Sequence, residues 1–192
     1  MNHLDQALPP ARLLEGEQVY LRPISLEDTE LYFRTLFDPE IRRLTGTARS
    51  FNREFIAGYI ERKSQDQSGL LLLIALREND TVIGDIALQD MDALSRSANI
   101  RIAINDAEHQ GKGYGSEALR LMLDYGFGIC NLHRIELNVY AYNERAQRCY
   151  EKVGFRQEGV QRDVLFYNHQ YHDSILMSML EDEYRERYLK PQ

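Results

Sequence analysis

The sequence predicts an α+β domain: a mixed, mostly antiparallel central sheet flanked by helices. Three observations carry this. The order of elements is strand, helices, antiparallel meander, helix, strand, helix, hairpin, which lacks the regular βαβ alternation of a doubly wound nucleotide fold. Leu70 to Leu76 is continuously apolar and is turned by Glu78-Asn79-Asp80 into a second strand, as in a hairpin. Arg134 to Tyr140 instead alternates strictly, with Ile135, Leu137 and Val139 on one face and Glu136, Asn138 and Tyr140 on the other.

Residues 1–16 are polar and carry Pro9-Pro10, so they are expected as an N-terminal tail, with ordered structure starting near Gln18. Gln18 to Arg22 is a short strand. Ser25 caps a helix reaching about Phe37, with Glu27 and Asp28 in its first turn, and Asp38-Pro39 stops it. A second helix spans about Asn52 to Gln65, where Phe55, Ile56, Tyr59 and Ile60 recur at helical spacing. Glu78-Asn79-Asp80 turns the apolar strand into Thr81 to Leu88, and a polar connection, Gln89 to Ser97, leads to the third meander strand, Ile100 to Ile104. After a glycine cluster at 111–115, Ala118, Leu121, Met122, Tyr125 and Ile129 form a helical stripe. A further helix, Asn143 to Val153, ends at Gly154, and two strands, Phe155 to Leu165 and Tyr171 to Leu180, close around Asn168-His169. The acidic and basic run from Glu181 reads as a solvated, salt-bridged helix end. The expected organisation is one domain, 17–185, between tails at 1–16 and 186–192.

With 192 residues, 43% apolar and 28% charged, the chain matches soluble globular proteins. Its net charge of −7 has the wrong sign for a protein that neutralises nucleic-acid phosphates. The seven apolar residues from Leu70 to Leu76 fall well short of the ~20 needed to span a bilayer, so no membrane segment is expected. Met1-Asn2-His3-Leu4-Asp5 lacks the basic and apolar regions of a secretory signal, which points to the cytoplasm, with Cys130 and Cys149 as reduced, incidental thiols. His169 and His172 have no third ligand nearby and read as hairpin-surface residues, so no metal is expected.

Gln110-Gly111-Lys112-Gly113-Tyr114-Gly115-Ser116 lies between a strand and a helix, so backbone N–H groups can converge with the helix N-terminus on an anion, beside the charge of Lys112. The P-loop pattern fails because Lys112 precedes the later glycines, and the dinucleotide fingerprint fails at Ser116. An NAD- or ATP-dependent enzyme is thereby disfavoured. Gln110, Gly113 and Gly115 resemble the [Q/R]xxGx[G/A] signature of the GNAT superfamily of N-acetyltransferases. Asn143, Ala146, Tyr150 and Gly154-Phe155 match its second signature at the right separation. The resemblance covers about residues 18–180. Leu21-Arg22-Pro23 and Asp38-Pro39-Glu40 are most similar to the branch that acetylates ribosomal-protein N-termini.

The resemblance implies acetyl-CoA as donor and a primary amine as acceptor, reacting by direct attack on the thioester. It places the pyrophosphate on residues 111–116 and the pantetheine arm along Ile100 to Ile104, so Ile102, Ala103, Ile104, Gln110, Gly111, Lys112, Gly113, Tyr114, Gly115, Ser116, Asn138 and Asn143 become candidate coenzyme contacts. Tyr150 falls on the position of the general acid that protonates the leaving thiolate. Some N-terminal acetyltransferases of this kind have a glutamate where this chain has Asn138, so no base carries over; Glu136 and Asp85 read as solvated surface charges. At pH 7 a lysine-like amine of pKa about 10.4 costs about 4–5 kcal/mol to deprotonate, an α-amine near 7.8 about 1. The missing base therefore favours an N-terminal α-amine as acceptor, ahead of a polyamine or other small cationic amine. A non-catalytic acyl-CoA sensor is the alternative of another class, against which Tyr150 counts. In this family the helices bearing Tyr32, Phe33, Phe37, Phe55 and Tyr59 also roof the acceptor site, and small members are often dimers, so a homodimer is within expectation.

Overall fold

The computed structural model describes residues 10–105 and 107–189; Lys112 and every other candidate site residue lie within them. Eight strands form one sheet in the order β1-β2-β3-β4-β5-β6-β8-β7: β1 (Leu14–Glu15), β2 (Val19–Pro23), β3 (Leu70–Leu76), β4 (Val82–Asp92), β5 (Ser97–Ile104), β6 (Arg134–Tyr140), β7 (Arg156–Tyr167) and β8 (Gln170–Leu180). Every neighbouring pair is antiparallel except β5 and β6. The helices are α1 (Thr29–Thr35), α2 (Pro39–Thr45), α3 (Arg53–Gln65), α4 (Tyr114–Gly128), α5 (Glu144–Val153) and α6 (Glu181–Tyr188). The expected α+β architecture is what the chain adopts.

The two hydropathy patterns have distinct structural causes. At β3, Leu72, Ile74 and Leu76 pack in the large core on the α4 side, while Leu71 and Leu73 pack under α1 and α3. Both faces are covered, so both must be apolar. At β6, Ile135, Leu137 and Val139 join the large core, but the opposite face carries Glu136, Asn138 and Tyr140. The polar side of β6 faces a cavity whose lining it shares with α2.

The structure corrects the expected boundaries at five places. β1 lies inside the expected tail and pairs with Tyr20 and Leu21. The first helix opens as a 3-10 turn over Leu26–Asp28, where the Ser25 N–H donates to Asp28 Oδ2 at 2.9 Å. Asp38-Pro39 ends one helix and starts the next: Asp38 accepts the Ile41 N–H at 2.8 Å and Pro39 is the first residue of α2. Most of the expected polar connection after Leu88 is strand, with a turn at Asp92, whose Oδ1 accepts from Leu94 and Ser95 N–H. α6 is docked, because Tyr184 is buried and its hydroxyl donates to Asp124 at 2.8 Å. Asn168 and His169 both have positive φ, as a two-residue hairpin turn requires. No helix among the described residues is long and apolar enough to cross a membrane.

Candidate active site

The sheet opens at its one parallel junction. β5 and β6 pair only at Ser97↔Arg134, Ala98↔Ile135 and Asn99↔Glu136. Beyond these, β5 stays on β4 as far as Ile104↔Gly84, and β6 stays on β8 as far as Tyr140↔Ser174. The strands part, and one edge of β5 between Ile100 and Ile104 is left without a strand partner. An extended chain bearing amide groups can dock there by the same hydrogen bonding that builds a sheet. A cavity of about 710 Å³ occupies the opening.

At one end of the cavity the glycine loop leads into α4. Gly111 and Gly113 have φ of 75° and 92°, left-handed values that favour glycine. A Cβ at either would meet nothing within 4 Å, so the space in front of the loop is open to a ligand. The first-turn N–H groups of the fifteen-residue α4 give this end a positive potential suited to phosphate. Gln110 ties the loop down: its Nε2 donates to the Ile104 carbonyl at 3.3 Å, and Arg145 donates to its Oε1. Among the expected coenzyme contacts, Ile102, Ala103, Ile104, Gln110, Gly111, Gly113, Gly115, Ser116, Asn138 and Asn143 line this one cavity. Lys112 and Tyr114 do not. Lys112 is exposed at the loop, and Tyr114 is the first residue of α4, its ring packed near His109.

α5 forms the second wall. Asn143 caps it, accepting the Ala146 N–H at 3.2 Å, and Gly154 ends it with φ 119°. Tyr150 lines the cavity from this helix and is buried, its ring edge-on to Phe155 at 5.9 Å. Burial, with a smaller contribution from Cys149, pushes its phenol well above the ordinary range, so it stays protonated at neutral and mildly alkaline pH. Arg145, Arg148 and Lys152 also line the cavity. Their spacing of three and four residues puts three cations on one stripe of α5, a pattern already present in the sequence. Cys149 sits on the wall too, 3.3 Å from the Ser116 hydroxyl; both cysteines are free.

On the other face of the sheet the lining mixes polar and apolar side chains and is free of carboxylates among the described residues. Asn138 donates to Gln161 Oε1 at 3.0 Å, beside Ser174, and α2 closes this end with Ile41, Leu44 and Thr45. Glu136 is a surface charge, paired with Arg134 at 2.8 Å. Asp85 is not, which corrects the sequence expectation: it is buried at 4% exposure and lies 2.6 Å from Arg101 Nη2. That pairing joins strands β4 and β5 across the sheet and leaves no local signature. Tyr32 is buried near it and stacks on Tyr59, whereas Phe37 and Phe55 are exposed.

Comparison with known proteins agrees with this geometry. The sequence profile of the acetyltransferase (GNAT) domain matches residues 18–156. A spermidine N(1)-acetyltransferase of Vibrio cholerae is 39% identical over 106 residues, covering 55% of this chain and 61% of that enzyme; the match thus spans about three-fifths of its length. A putative ribosomal N-acetyltransferase of Bacillus subtilis, YdaF, is 31% identical over 132 residues, 69% of this chain and 70% of that one. The crystal structure of spermidine N-acetyltransferase from Vibrio cholerae in complex with CoA and spermine superposes with a TM-score of 0.82 at 28% identity, over 87% of this chain and 98% of that one.

Proposed function

The chain belongs to the GNAT acetyltransferase family, and from that premise we propose that it moves an acetyl group from acetyl-CoA to a primary amine in the cavity between β5 and β6. The carrying observation is that one cavity joins an open phosphate cradle, an unpaired strand edge and a buried tyrosine. The pyrophosphate lies on the N–H groups of residues 111–116, with Arg145, Arg148 and Lys152 adding positive charge. The pantetheine arm pairs with β5. The amine attacks the thioester carbon directly, a β5 backbone N–H steadies the developing oxyanion, and Tyr150 protonates the departing thiolate.

For the acceptor, the named relatives support a polyamine of the spermidine class over the N-terminal α-amine expected from the sequence. The α-amine remains as a second reading for one reason of geometry. No described carboxylate lines the cavity to hold a second ammonium, and the putative ribosomal relative agrees. Mass spectrometry of a panel holding spermidine, spermine, N-terminal peptides and a lysine peptide, with CoA release followed in parallel, separates the two. Spermidine is expected to give the highest kcat/KM. Transfer confined to peptide α-amines would install the second reading, and transfer to none would overturn the proposal.

The cationic stripe gives a separate expectation. Arg148→Glu combined with Lys152→Glu should weaken acetyl-CoA binding about tenfold at low salt, through lost attraction and new repulsion, with the difference shrinking as salt rises. Titration calorimetry at two ionic strengths measures it; a salt-independent loss would mean that the helix itself had been disturbed.

A further inference from the structure

Acetyl transfer needs a neutral amine, yet among the described residues no Asp or Glu lines the cavity to take a proton from an ammonium. What the acceptor face presents instead is a cation. The register Asn99↔Glu136, continued two residues along each strand, sets Arg101 of β5 and Asn138 of β6 on the same face of the sheet, either side of the opening. Both line the cavity, and Asp85 does not. The Arg101–Asp85 pair is asymmetric: the carboxylate side chain is 6% exposed and the guanidinium side chain 33%. Arg101 is further anchored by donating to the Tyr32 hydroxyl at 3.1 Å. The cavity therefore meets the positive end of a fixed dipole.

We propose that Arg101 eases deprotonation of the bound acceptor by disfavouring its charged form, so that the ammonium gives its proton to water without a carboxylate from the described lining. A like charge at short range lowers an amine's pKa, and each unit raises the neutral fraction at pH 7 about tenfold. The neutral nitrogen then forms the N–C bond at the thioester carbon. The C–S bond breaks, and the sulfur leaves with its electron pair and takes the Tyr150 proton. The proton shed by the acetylated nitrogen passes to water, and a solvent proton restores Tyr150. Arginine suits the role because it keeps its charge. Burial opposes that charge, but Asp85, with Tyr32 and Tyr59, more than offsets it and holds Arg101 above its ordinary range. The ionisable groups against the guanidinium are thus Asp85 from β4, Tyr32 from α1 and Tyr59 from α3. Burial keeps Tyr32 neutral throughout the relevant pH range. The inference rests on the acetyl-transfer reading and holds for either acceptor.

The test is the pH dependence of kcat, which reports the bound complex, for the wild type, Arg101→Lys and the double variant Asp85→Asn/Arg101→Gln. The double variant removes both charges together and strands neither. In the wild type the acid limb of kcat should lie about one unit or more below the acceptor's solution pKa. In the double variant it should rise to that pKa, with kcat about tenfold lower at pH 7 and equal to wild type in alkali, while Arg101→Lys keeps the wild-type limb. Coincident limbs, or an equal loss at every pH, would overturn the role of Arg101 and leave acetyl transfer standing. Failure of the wild type to acetylate any amine would overturn both.

Discussion

Tyr150→Phe is expected to lower kcat by about 10²–10³-fold while leaving acetyl-CoA affinity within about twofold, the size of effect seen when a positioned acid is lost. The substitution removes one oxygen and keeps the ring, so the edge-on contact with Phe155 and the packing of α5 survive. The phenol is held above its ordinary range by burial, which at first sight makes it a poorer acid. The leaving thiolate forms against the same buried wall, and desolvation raises its proton affinity too. Matching of donor and acceptor is therefore preserved. Because the shift is upward, Tyr150 remains protonated as pH rises, and it should impose no alkaline loss of kcat below about pH 10, its reference value. Steady-state CoA release and equilibrium binding test both statements. A variant that keeps wild-type kcat would reduce Tyr150 to a core residue.

Features of this site that depend on neighbours in sequence were legible there. The glycine loop, the Asn143 cap, the Gly154 stop and the period of two in β6 each act over a few residues, and each appears where its chemistry placed it. Asp38-Pro39 was half legible: the pair stops one helix and equally starts another, and only the Ile41 N–H accepted by Asp38 decides that α2 follows. The polar side of β6 was legible in Glu136, Asn138 and Tyr140, but not the closing of that face by α2, Gln161 and Ser174, which come from three separate stretches of chain. Asp85 shows the limit most clearly. In sequence it is an acidic residue in a strand, compatible with a solvated edge; its burial follows from α1 and α3 lying over β4, and its partner is sixteen residues away on the next strand.

That burial gives the largest expected loss of stability. Asp85→Ala should destabilise the fold by about 3–5 kcal/mol, because it strands a largely desolvated guanidinium. For a chain of this size each kcal/mol lowers Tm by about 2–4 °C, so the change is visible in thermal or urea unfolding. The dependence is mutual. Asp85 Oδ2 accepts no well-aligned hydrogen bond among the described residues, so the close contact with Arg101 is what compensates its charge. The exposed pair Arg148–Glu144 should contribute little, since water solvates either partner alone. Asp85→Leu combined with Arg101→Met should recover most of the stability lost by Asp85→Ala, because an apolar pair of similar volume needs no compensation in the small core under α1 and α3. Nothing in folding then requires a charged pair at this position. A stable Leu/Met variant with kcat lowered at pH 7 and recovered in alkali would locate the reason for its charge in the cavity that Arg101 faces, whereas an Asp85→Ala protein that melts like wild type would show that the pair is solvated and that the dipole has no force.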